Sequence, residues 1–132
     1  MKTLLVDHIG ILVKDIPASL PFYRDTLGLS FEGIENNEAY KVDIAFLRCG
    51  ETLVELLQPT GEGSFKDTLE TKGEGFQHVA FRVDDVAEGL KEMKEKGIPL
   101  VDEQPKAGGG GALVAFLKAV AGNNVSIELI ER

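Results

Sequence analysis

Two stretches lying 70 residues apart share one pattern, and they constrain the fold more than any other feature of the chain. Asp7-His8-Ile9-Gly10-Ile11-Leu12-Val13-Lys14-Asp15 is repeated, in type, by Gln77-His78-Val79-Ala80-Phe81-Arg82-Val83-Asp84-Asp85. The chain has 2 histidines, and they hold the same place in the two copies. A histidine followed by alternating apolar residues and then Val-x-Asp reads as a strand that runs into a helix cap. The same offset of 70 aligns Val13 with Val83, Asp15 with Asp85 and Phe46 with Phe116. It becomes 73 for Glu55 and Glu128, which fits a longer hairpin loop in the second half.

Residues 4–13 are expected to form a strand with His8, Gly10 and Leu12 on one face and Ile9, Ile11 and Val13 on the other. Asp15 reads as an N-cap and Pro17 suits a first turn. Ile16, Leu20, Tyr23 and Leu27 mark an apolar stripe ending at Gly28, with Pro21 distorting the helix because it lacks an N–H. Three strands are expected at 29–34, 40–49 and 52–57, the last two as a hairpin. Ser64 with Asp67 resembles a capping box for a short helix that carries Phe65 and Leu69. In the second copy Val79, Phe81 and Val83 are the expected apolar face. Asp84 or Asp85 then caps a helix whose stripe is Val86, Leu90 and Met93. Strands at 98–101, 113–117 and 125–130 follow, with the glycine-rich stretch 107–112 as a flexible loop; no helix with Lys-Ser/Thr follows it, so it is not a phosphate-binding P-loop.

The expected fold class is therefore α+β, a β-α-β-β-β unit used twice. At 132 residues and 43% hydrophobic content the chain fits a single domain. Its N-terminal module is expected at 1–60 and its C-terminal module at 74–132, joined by a linker at 61–73. A formal net charge of −8 argues against nucleic acid or an anionic membrane as partner. The one cysteine, Cys49, cannot form an intrachain disulfide, which points to a reducing, cytoplasmic setting. The apolar run near Met1 is too short for a signal or a membrane span.

Two histidines and two glutamates at matched strand positions imply a pseudo-symmetric site. His8, Glu55, His78 and Glu128 would neutralise a divalent ion and leave coordination positions for water or substrate. Nitrogen and oxygen ligands of this kind suit Zn, Co, Ni, Mn or Fe(II). Each residue alone is weak support; the coincidence of all four carries the reading.

At these residues the chain resembles the vicinal oxygen chelate superfamily and, within it, the methylmalonyl-CoA epimerases. The resemblance lies in the two repeat copies, in Phe22-Tyr23-Arg24-Asp25-Thr26-Leu27-Gly28, in Val54-Glu55-Leu56-Leu57-Gln58-Pro59 and in Gly73-Glu74-Gly75-Phe76-Gln77-His78. It implies a cup-shaped, strongly bent mixed sheet, a homodimer, and one divalent ion held by His8, Glu55, His78 and Glu128. The reaction implied is inversion of the carbon α to a thioester carbonyl in an acyl-CoA, with the ion stabilising an enediolate. The acid/base pair implied is Glu128 with Glu38, or with Glu35 in place of Glu38. The chain departs from the family's usual residues at Gln77 and across 118–124, positions that bear on substrate choice. A lactoylglutathione lyase of the glyoxalase I type is the alternative enzyme, although the first strand lacks the arginine that such lyases carry. A metal-free binding protein of the bleomycin-resistance type is the alternative outside enzymes.

Overall fold

Asp15 and Asp85, which close the two repeat copies, are both helix N-caps with nearly the same backbone. Asp15 lies at φ −153, ψ 115 and accepts from the Ala18 amide at 2.9 Å; Asp85 lies at φ −156, ψ 106 and accepts from the Glu88 amide at 2.9 Å. The sequence repeat is thus a repeat of local geometry. In the computed structural model, which describes residues 1–132, the first series is β1 (Thr3–Leu12), α1 (Ile16–Leu20), β2 (Ser30–Asn37), β3 (Val42–Cys49) and β4 (Thr52–Pro59). After α2 (Ser64–Lys72) the second is β5 (Gly75–Val83), α3 (Val86–Glu95), β6 (Lys106–Ala107), β7 (Leu113–Leu117) and β8 (Ser126–Glu131). The α+β class and the doubled β-α-β-β-β order are as the sequence implies.

The chain divides into two compact units, residues 9–77 and residues 1–8 with 78–132. In the first, strands run in the order β2-β3-β4-β1, with β2, β3 and β4 antiparallel. Its core is Val13, Ile16, Leu20, Ala45, Leu47 and Leu56, so the helix after the repeat covers the sheet. In the second, the order is β1-β5-β8-β7-β6, with β5 and β8 parallel and β7 antiparallel to β8. Val83, Val86, Leu90, Ala115, Leu117 and Leu129 form its core. Each Val, Leu or Ile among them contributes roughly 1.5–3 kcal/mol on full burial.

Several local expectations are corrected. Pro21 ends α1 after five residues, and the chain continues through Pro21–Thr26 as a π-helical turn closed by the Leu27 amide on the Phe22 carbonyl at 2.8 Å. A proline cannot donate to the ladder, and a widened turn accommodates it. Leu27 consequently leaves the buried stripe and is 55% exposed. Ser64 and Asp67 make no capping box: the N-cap is Gly63, whose carbonyl accepts from the Asp67 amide at 3.0 Å. Val79 and Phe81 are only half-buried, while His78 and Ala80, between and beside them, are buried. Residues 98–101 form no strand. Pro99 removes a donor, and one bridge, Leu100 to Leu117, is the pairing that results. The glycine run is a hydrogen-bonded turn rather than a loose loop, with Gly108 N–H on the Ala112 carbonyl at 2.9 Å and Gly110 at φ 67.

Candidate metal centre

The register of β5, β8 and β7 decides which side chains meet. Residues directly opposite in neighbouring strands project from the same face. Glu128 lies opposite Ala80 on β5 and opposite Phe116 on β7. His78, two residues before Ala80, shares that face, and its ring meets Phe116 edge-on at 5.1 Å between centroids. β1 supplies His8 to the same unit.

Three buried donors converge as a result. His8 is 2% exposed, His78 2% and Glu128 5%. The Nε2 atoms of His8 and His78 are 3.0 Å apart. Glu128 places Oε1 at 3.4 Å from Nε2 of His8 and Oε2 at 3.3 Å from Nε2 of His78. Donors bonded to one ion at about 2.1 Å lie about 3.0–3.4 Å from one another at octahedral to tetrahedral angles, so two imidazoles and a carboxylate with these separations suit a divalent cation. Burial foremost, with the charge that His8 can carry second, holds His78 well below the usual histidine range. Neutral imidazole is the ligating form.

Asp7, beside His8, is a site residue that sequence reading passed over. It is 1% exposed, yet it accepts from His8 Nδ1 at 2.7 Å, from Arg82 Nε and Nη2 at 2.9 and 2.7 Å, and from Arg132 Nε and Nη2 at 3.1 and 2.8 Å. Burial would raise its carboxyl, but the hydrogen bonds from His8, Arg132 and Arg82 outweigh it and hold the group well below the usual carboxylate range. The signal was present: Asp7 and Arg82 are charged residues inside otherwise apolar strands.

Glu55 belongs to the 9–77 unit, where it is 4% exposed on β4 and lies opposite Phe46. It thus occupies in its own unit the register position that Glu128, opposite Phe116, holds in the other. Glu38 stands in the exposed turn between β2 and β3 and pairs with Lys41 Nζ at 2.9 Å. Glu35 lies on β2 opposite Ile44 and is exposed.

A sequence profile of the glyoxalase/bleomycin resistance protein/dioxygenase superfamily matches residues 7–116, from just before His8 through Phe116. The chain belongs to this superfamily. Among its relatives, the uncharacterised protein YqjC of Bacillus subtilis is 36% identical over 96% of this chain and 91% of its own length. The ethylmalonyl-CoA/methylmalonyl-CoA epimerase of Cereibacter sphaeroides is 32% identical, covering 94% of this chain and 95% of that protein. A lactoylglutathione lyase of Salmonella typhimurium is 30% identical over 94% and 90% respectively. A solved methylmalonyl-CoA epimerase in complex with methylmalonyl-CoA and NH4+ superposes with a TM-score of 0.94 at 31% identity, covering 98% of this chain and 95% of that one. The chain is thus related both to acyl-CoA epimerases and to lactoylglutathione lyases. No helix is long and apolar enough to cross a membrane.

Proposed function

We propose that this protein is a divalent-metal-dependent epimerase that inverts the α carbon of methylmalonyl-CoA. The observation that carries the reading is the buried convergence of two imidazole Nε2 atoms and the Glu128 carboxylate, in a chain whose relatives include epimerases of this substrate. His8, His78 and Glu128 would hold the ion, with Glu55 as the fourth ligand on the strength of its matching place in the repeat. When bound, the ion supplies Lewis-acid stabilisation for negative charge developing on the substrate's carbonyl oxygen.

The chain's own residues contribute the rest. The two neutral imidazoles add no charge, so the carboxylates of Glu128 and Glu55 offset the ion. A Glu128 carboxylate oxygen is the proposed carrier of the proton exchanged at the α carbon on one face. Glu38 is the proposed partner on the other face, on the family resemblance alone, since its carboxylate is solvent-exposed and paired with Lys41. Phe116, packed on the His78 ring, restricts water beside it. A homodimer working in the cytoplasm belongs to the same proposal, as does its organisation as one domain of two modules, 1–60 and 74–132.

Proton exchange tests the reading. Methylmalonyl-CoA incubated with the protein in deuterated buffer should take up deuterium at the α carbon, followed by NMR or mass spectrometry. Absence of exchange together with isomerisation of the methylglyoxal–glutathione hemithioacetal would establish the lyase instead. Protein purified without chelator should carry about one divalent ion per chain, lost in His78→Ala. No metal under any loading condition would leave the sequestering, metal-free reading.

A further inference from the structure

We propose that Asp7, clamped by Arg82 and Arg132, is a positioning residue that fixes the proton of His8 on Nδ1 and so aims a bare Nε2 lone pair at His78 and Glu128. This deepens the metal-centre reading and, in part, rests on it. An ionised carboxylate can only accept, so a 2.7 Å contact between Asp7 Oδ2 and His8 Nδ1 requires the hydrogen on Nδ1. Neutral imidazole carries one N–H, and Nε2 is left as the acceptor. That nitrogen is the one 3.0 Å from His78 Nε2 and 3.4 Å from Glu128 Oε1.

The arginines explain why a bare carboxylate can stand at this depth. Arg132 spans both oxygens of Asp7, and Arg82 takes Oδ1 through two nitrogens. Such forked contacts fix the carboxylate plane as well as its charge. Oδ2, shared between Arg132 and His8, is then a hydrogen-bond acceptor whose negative charge is already partly matched. It fixes the orientation of the ring through Nδ1. A ligand histidine whose second nitrogen is held by a carboxylate is turned and fixed before any ion arrives.

The device is built for one histidine of the pair. At the repeat offset of 70, Asp7 corresponds to Gln77 and Arg82 to Leu12. The second copy therefore offers an amide and an aliphatic side chain where the first copy's partners are a carboxylate and a guanidinium. Symmetry of the ligands is kept while their support is not, which is expected if His8 is the pre-set ligand of the two.

The test uses the full chain, labelled with 15N-histidine and stripped of metal by a chelator. Long-range 1H–15N correlation spectra above pH 7 distinguish the tautomers, and His78→Ala assigns the two rings. The expected result is a single His8 tautomer protonated at Nδ1. A ring protonated at Nε2, or an even mixture, would overturn the proposal with no variant needed. In Asp7→Ala, checked for folding by its amide spectrum, the Nδ1–H preference should be lost and Zn(II) affinity should fall about 10–100-fold. A folded variant with parental tautomer and parental Zn(II) affinity would equally refute it. Failure of the parent to bind Zn(II) would remove the metal reading and still leave the tautomer measurement to decide the role of Asp7.

Discussion

Removing the Asp102 carboxylate should cost the protein about 2 kcal/mol, although the residue directly follows the segment 98–101 where the expected strand is absent. Asp102 is 3% exposed; its Oδ2 accepts from the Phe116 amide at 2.8 Å and its Oδ1 from Lys106 Nζ at 2.9 Å. The backbone reinforces the link, since the amides of Val101 and Asp102 both donate to the Phe116 carbonyl. The carboxylate therefore does for β7 part of what strand pairing would have done. Loss of a buried hydrogen bond to a charged acceptor costs about 1.5–3 kcal/mol. Unfolding entropy of about 2.1 cal/mol/K per residue amounts to about 0.28 kcal/mol/K for this chain, so about 2 kcal/mol lowers Tm by about 7 °C. Calorimetry or circular dichroism of Asp102→Ala measures it. Lys106→Met is the control: its ammonium is half-exposed, and an exposed ion pair is worth at most about 1 kcal/mol. A Tm for Asp102→Ala within about 2 °C of the parent, or no larger a loss than in Lys106→Met, would refute the assignment to the buried Phe116 amide.

Glu55→Gln should keep the fold and weaken Zn(II) binding at least about tenfold by chelator competition, since even outer partners of a ligand contribute that much. Glu38→Gln is expected to abolish turnover while leaving Zn(II) binding intact; near-parental turnover would remove Glu38 from the mechanism. Asp7 contributes to acid stability with a definite sign. Its carboxyl is held well below the ordinary aspartate value of about 3.9, so its contribution is present above about pH 4 and is lost as pH falls below that, by up to about 1.4 kcal/mol per pH unit. Urea midpoints of the metal-free parent and of Asp7→Asn should therefore converge between pH 4 and lower pH. Gly108→Ala would bring its Cβ to 2.5 Å from Val114 Cγ1. An overpacking cost of about 1–3 kcal/mol should appear in urea denaturation.

Much of this architecture was legible because the signals are local. The Val-x-Asp ending of each repeat copy places the caps at Asp15 and Asp85, and period-two alternation finds β3, β4, β7 and β8 to within a few residues. The losses came where a residue's meaning depends on distant chain. Pro21 foretold a distortion but not its form, because whether a proline ends, kinks or widens a helix depends on the turn around it. Residues 98–101 look like a strand until their hydrogen bonds are counted. Ser64 has the letters of a capping box, but Gly63 takes the N-cap one residue earlier.

The same division separates the proposed ligands from their supports. His8, His78 and Glu128 could be found by comparing the halves of the chain with each other, since what the halves share stands out at a constant offset. Asp7, Arg82 and Arg132 could not, because they differ between the halves and lie 75 and 125 positions apart where they meet. Duplicated modules favour matching ligands, as each copy starts with the same strand and the same histidine. A single substrate of low symmetry favours the opposite, different surroundings for the two rings. A carboxylate held by two guanidiniums beside one histidine, where the matching position of the other copy is Gln77, would meet both demands with one fold.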